Sequence, residues 1–209
     1  PLLVNFDIIY MFETFVDGQF TIQGNTVTRQ GYSGDQIFDL TKYNLDAFDG
    51  FTFTDFTNED GTNAVVIAGD GSTKVIANFA RNDVLVQVER AEGVESVTLT
   101  ASEYTFSQTF DSNSETDEVY IKYDAKVIIT STPANGYDSV SYSGISTKVD
   151  ENRATYFTVP ADNFTLTATG NPHTYIITFN GNGGTTDGTT KSYTQNAVFN
   201  TNVVLENNR

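Results

Sequence analysis

The chain contains no cysteine. Disulfide staples, thiolate metal sites and cysteine nucleophiles are therefore excluded. A cysteine-free composition suits a bacterial protein working outside the membrane, where a free thiol is a liability, but cysteine-free cytosolic proteins also exist. One histidine in 209 residues is too few for a histidine zinc site. Basic residues are also scarce: 11 Lys and Arg stand against 27 Asp and Glu, a formal net charge of -16. Such a surface repels nucleic-acid phosphates and anionic lipid, so neither nucleic acid nor membrane insertion is expected. No run is long and apolar enough to span a bilayer, and no segment has the form of a signal peptide. Leu and Lys are sparse and helix formers seldom cluster.

What is abundant is Thr, Asn, Ser, Gly, Tyr and Phe, a strand-and-turn composition. "VNFDIIYMFETFV" and "QFTIQ" flank Asp17-Gly18, a hairpin signal because both central residues of the favoured turn need positive φ. "SGDQIFDLTKYNL" carries Ser33 and Gln36 in capping-box spacing, with Ile37, Leu40 and Tyr43 at helical spacing; it predicts one helix of two turns. "DGFTFTDFT", "NAVVIA" and "STKVIANFA" return to period two, with Val75, Ala77 and Phe79 on one face. Asn82-Asp83 marks a seam. Val84, Val86 and Val88 then restart the alternation, "VTLTASEYTFSQTF" and "VYIKYDAKVIITSTP" continue it, and Phe164, Leu166 and Ala168 close it opposite threonines.

The units echo each other. Each begins with an alternating strand and carries a Gly–aromatic step near its middle, Gly50-Phe51 and Gly136-Tyr137. Each ends in two strands joined by a tight turn. A third unit begins at "TYIITFNGNGG". The expected fold class is mainly β: tandem small β-rich, β-grasp-like domains, with one short helix in the first. The expected domains are 1–82, 83–171 and an incomplete 172–209, and the chain reads as a piece of a longer protein.

Chemistry-bearing motifs are few. Gly183 and Gly188 have phosphate-loop separation, but Thr189 and Thr190 intervene before Lys191 and the following run alternates like a strand, so a turn is expected. His173 beside Pro172 has no Gly-x-Ser-x-Gly partner. Counting back from Gly61 puts Phe56 at the first position of a calcium loop, so that motif fails; Asp111, Asn113, Glu115 and Asp117 lack the turn glycine. Asn163-Phe164-Thr165 fits a glycosylation sequon by chance. Lys74, Lys122 and Lys126 lie on strand-like runs where an isopeptide crosslink to Asn or Asp would suit a tension-bearing domain, although long Lys side chains on strands usually reach water. No catalytic, cofactor or metal site is expected.

Residues Tyr175 to Thr185, "YIITFNGNGGT", resemble the opening of a Listeria–Bacteroides repeat, the internalin B-repeat family. "AKVIITSTPANGYDSVSYSG" and "TYFTVPADNFTLTAT" resemble the divergent form of that repeat, with Tyr142 where Trp is common. The first unit is similar to mucin-binding-protein and related β-grasp-like repeats through Asp17-Gly18, Gly50-Phe51 and "DGSTKVIANFARN". The resemblance implies a non-catalytic stalk and weak contact segment of a large, secreted, cell-envelope protein. Its implied partners are host or cell-surface glycans or proteins. Alternatives are a dedicated glycan- or mucin-binding module, an accessory region of a secreted hydrolase, and self-association by strand exchange through "NAVFNTNVVL".

Overall fold

The computed structural model describes residues 1–16, 18–185 and 190–203, with backbone alone at 22–24, 179–185 and 190–193. It is almost entirely β. Strands β1 (Leu3–Glu13) and β2 (Phe20–Tyr32) form an antiparallel hairpin, with a bulge between Ile9 and Met11. Asp17 of the expected turn lies outside the described residues; Gly18 has φ 71. The short β3 (Gln36–Ile37) is followed by β4 (Phe51–Asn58), by the short β5 (Val65–Val66) that pairs with β3, and by β6 (Lys74–Arg81). The main sheet runs β2-β1-β6-β4, and its central pair β1/β6 is parallel. Period two on β1 puts Phe6, Ile8, Tyr10 and Phe12 inside, where they meet Val75, Ala77 and Phe79 of β6. Burial of each Phe, Ile or Val among them contributes roughly 1.5–3 kcal/mol.

The expected two-turn helix is a single 3-10 turn, Leu40–Tyr43. Two long-range ties and one local cap explain the difference. Ser33 Oγ accepts the Leu2 N–H, Gln36 and Ile37 are drawn into β3, and Asp39 caps the turn by accepting from Thr41 N–H at 3.0 Å. Asn44 then ends it with φ 53. Leu40 is fully buried within that turn.

After Asn82 comes a second block: β7 (Asp83–Arg90), β8 (Val94–Ala101), β9 (Phe106–Phe110), β10 (Glu118–Lys122), β11 (Lys126–Pro133), β12 (Tyr137–Ser143), β13 (Lys148–Val149), β14 (Thr155–Thr158) and β15 (Phe164–Pro172). One sheet runs β10-β7-β15-β12 and the other β13-β14-β11-β8-β9. Val84, Val86, Val88, Leu166 and Ala168 of the first share a core with Val97, Leu99, Val127, Ile129 and Phe157 of the second. After His173, β16 (Thr174–Thr185) and β17 (Thr190–Val198) form an antiparallel hairpin.

The first two blocks tie their first strand to their last in parallel, β1 to β6 and β7 to β15. Parallel end strands carry the chain in at one end of the block and out at the other. One residue separates each block from the next, Asn82 and then His173.

Candidate functional site

The two junctions are built alike. At the first, Asn82 donates its N–H to the Gly50 carbonyl at 2.9 Å and accepts the Tyr123 N–H at 2.9 Å. At the second, His173 donates to the Gly136 carbonyl at 2.8 Å and accepts the Phe199 N–H at 2.8 Å. The ring from the following block lies over the glycine of the preceding one. Tyr123 covers Gly50 and Phe199 covers Gly136, so that a Cβ at either glycine would overlap the ring. Both glycines have positive φ, 76 and 90, for which an L side chain is strained. The aromatic after each glycine then meets the incoming ring edge to face: Phe51–Tyr123 at 5.5 Å and Tyr137–Phe199 at 5.4 Å. Such a pair is worth about 0.5–1.5 kcal/mol beyond its area.

The incoming turn is also repeated. Tyr123 and Phe199 each end an antiparallel partner of the block's first strand, and each is followed by a residue in the left-handed region, Asp124 (φ 62) and Asn200 (φ 58). The first block has the same turn: the Ser33 N–H donates to the Leu2 carbonyl at 2.8 Å, and Gly34 follows with φ 87. Leu2, Leu3 and Tyr32 around that turn are exposed.

Arg81 consolidates the first junction. It continues the inward series Val75, Ala77, Phe79 and is 8% exposed. Its guanidinium donates to the Tyr123 carbonyl at 2.8 Å and the Glu13 carbonyl at 3.3 Å, and stands 4.1 Å from the Phe15 ring centre and 4.9 Å from that of Phe51. Glu13 accepts the Arg81 N–H at 2.9 Å and faces Lys122 at 3.8 Å. Phe15, beyond the end of β1, stacks on Tyr104 of the second block. Tyr104 accepts the Lys122 N–H, and burial pushes its hydroxyl pKa up. The second junction substitutes smaller polar contacts. His173 Nδ1 is 2.6 Å from Asp138, and both Tyr137 and Asn200 donate to Glu92.

The sequence motifs fall into structural roles. Gly188 and Thr189 lie outside the described residues, and Lys191 is on β17, with no helix start for an anion. Asp111 caps its own loop through Asn113 N–H, and among the described residues no group of three or more His or acidic side chains could hold a metal. Asn163 accepts the Leu85 N–H at 2.9 Å, which ties the sequon residue to β7. Asn196 to Val198 of the proposed exchange strand pair with β16, while Val204 and Leu205 lie outside the described residues. Lys74, Lys122 and Lys126 face the carboxylates of Glu59, Glu13 and Asp150. Asp150 takes N–H bonds from Ala154 and Asn152, and these with Lys126 hold its pKa below the ordinary carboxylate value. Amide formation needs a neutral acid, so Asp150 is poised the wrong way.

Among the surface grooves, one is lined by Phe38, Asp39, Phe53, Asp55 and Asn63, and Phe38 is 80% exposed.

Residues 112–172 match the family described as the divergent InlB B-repeat domain. The match starts in the loop before β10 and ends with β15, within the second block. No curated protein matches the chain. Among solved structures the chain is similar to the shaft pilin spaA from Lactobacillus rhamnosus GG in a mutant form, at 10% identity, over 82% of this chain and 97% of that one, with a TM-score of 0.20. No helix among the described residues is long and apolar enough to cross a membrane.

Proposed function

We propose that the chain is a non-catalytic stalk segment of a bacterial cell-surface protein, in which successive β blocks are locked end to end and make weak contacts along their flanks. The observation that carries this is the repeated junction. A one-residue linker bonded on both sides, with a ring seated on a glycine, fixes direction as well as distance. A chain that only needed to tether its blocks would use a flexible Gly/Ser linker. The divergent B-repeat match over 112–172 supports an extracellular, cell-envelope setting. The high acidic charge keeps such a shaft solvated.

The absence of cysteine permits spin labels at introduced cysteines, one in β4 and one in β11. A narrow distance distribution that broadens in Tyr123→Ala supports the stalk. An equally broad distribution in both forms removes it.

A second reading has one observation in its favour. Exposed Phe38 beside Asp39, Asp55 and Asn63 offers a stacking face with polar partners, as a glycan-binding module would. Thermal stabilisation by mucin oligosaccharides that disappears in Phe38→Ala would favour it. Unchanged melting at every sugar concentration would leave the stalk alone.

A further inference from the structure

We infer a mechanical function from the strand pairing: the chain bears tensile load, and the parallel pairs β1/β6 and β7/β15 are its shear clamps. The use of such clamps in the cell rests on the stalk reading; their mechanics do not.

In the first block β1 is the entering strand and β6 the leaving one. They are neighbours and parallel, paired from Asp7↔Lys74 through Phe12↔Phe79. A pull on the chain at both ends of the block draws these two strands in opposite directions along their own axes. All six residue pairs are then loaded together. Antiparallel end strands would instead be pulled apart at one end and opened a bond at a time. The ladder is lengthened at its start by Asp7 N–H to the Thr73 carbonyl at 3.0 Å.

The second block repeats the arrangement with a different sheet around it. Phe164↔Val86 through Ala168↔Arg90 gives five parallel pairs. Ala91 N–H to Ala168 at 2.8 Å and Gly170 N–H to Glu92 at 3.0 Å continue the ladder. In both sheets the clamp strands are the central two, flanked by β2 and β4 or by β10 and β12. Their inward side chains, Ile8, Tyr10, Val75 and Ala77 in one and Val86, Val88, Leu166 and Ala168 in the other, are buried. The core therefore closes one side of the bonds under load to water. Between the clamps stands only Asn82, whose backbone bonds tie it to Gly50 and Tyr123. Force leaving β6 passes directly into β7.

The test compares pulling directions in the full chain by single-molecule force spectroscopy, with handles on introduced cysteines that have no native competitor. Asn5→Cys with Asp83→Cys loads β1/β6 in shear. Asn5→Cys with Ser72→Cys attaches two residues ahead of the first pair on each strand and opens the same ladder from one end. At equal pulling speed the shear pair is expected to unfold at a force at least about two-fold higher, because its bonds fail together. Asp83→Cys with Asn171→Cys against Asp83→Cys with Asp162→Cys makes the same comparison in the second block. Equal forces in the two directions, in both blocks, overturn the inference. High shear force together with broad label distances across Asn82 leaves the clamps standing and removes the stalk instead.

Discussion

The ring of Tyr123, from the turn after β10, lies over the Cα of Gly50, from the turn before β4, and its N–H bonds to the single residue that links the two blocks. Phe199 stands to Gly136 as Tyr123 stands to Gly50. Two contacts from unrelated stretches of sequence thus perform one task. The glycine is needed twice over at each place, for its positive φ and for the space its missing side chain leaves.

Gly50→Ala should therefore cost about 1–3 kcal/mol, from backbone strain at φ 76 and displacement of the Tyr123 ring. Gly18→Ala meets the φ penalty without any neighbour within 4 Å and should cost less. Urea unfolding of the two variants measures the difference. Equal losses would mean that the Tyr123 contact adds nothing.

Arg81→Lys should behave as a damaging substitution despite keeping the charge. A guanidinium reaches the carbonyls of Tyr123 and Glu13 together while lying against Phe15 and Phe51; an ammonium is a single point and cannot. The expected loss is about 2 kcal/mol, in line with hydrogen bonds to a charged donor. Unfolding of the two blocks, seen by separate fluorescent labels, should also become less coincident. A variant that unfolds like the parent would show that Arg81 does not couple the blocks.

The strands were legible wherever one face is wet. Val75, Ala77 and Phe79, or Val84, Val86 and Val88, alternate with an outer face that mixes polar residues such as Lys74, Asn78, Gln87 and Glu89 with Ile76, Ala80 and Leu85. β2 was legible only as far as "QFTIQ". Its continuation to Tyr32 is polar and contains Gly24 and Gly31, and it is held by pairing with β1 from Leu3↔Tyr32 onward. The helix failed because Gln36 and Ile37 find a distant partner in Val65 and Val66, which local spacing cannot reveal. The Gly–aromatic steps stood out in the sequence, but their partners Tyr123 and Phe199 did not, since Tyr123 lies 73 positions beyond Gly50. Arg81 carries its own signal in the sequence. A charged residue continuing an inward alternation needs a buried partner, and here the partners lie in both blocks, the Glu13 carbonyl in its own and the Tyr123 carbonyl in the next.

The intact mass of the purified chain should equal that of the linear, uncrosslinked polypeptide, with no loss of one water or one ammonia. Lys74 and Glu59 are both well exposed, and Lys126 faces an Asp150 carboxylate that its own loop keeps ionised. Neither pair has the dry, neutral surroundings that amide formation requires. Lys122 and Glu13 are the most enclosed of the three pairs, at 3.8 Å. A deficit of one water mapped to that pair by tandem mass spectrometry would overturn the prediction and turn the first junction into a covalent joint.

Acid should weaken the second block through Asp150. Its folded pKa lies below the ordinary carboxylate value, first because Ala154 N–H donates to it, then through Lys126 and Asn152. The unfolded chain thus binds the proton more readily than the folded one. The stabilisation is present above the unfolded value of about 3.9 and is lost as pH falls through the lower folded value. The net charge of -16 acts in the opposite sense, since protonating surface carboxylates relieves repulsion. The raw melting curve mixes these two effects. The difference between the parent and Asp150→Asn removes the shared one. That difference should be greatest near neutral pH and shrink below about pH 4. A difference that stays constant from neutral pH down to pH 2 would show that the Asp150 loop is held by its shape and not by the charge of its carboxylate.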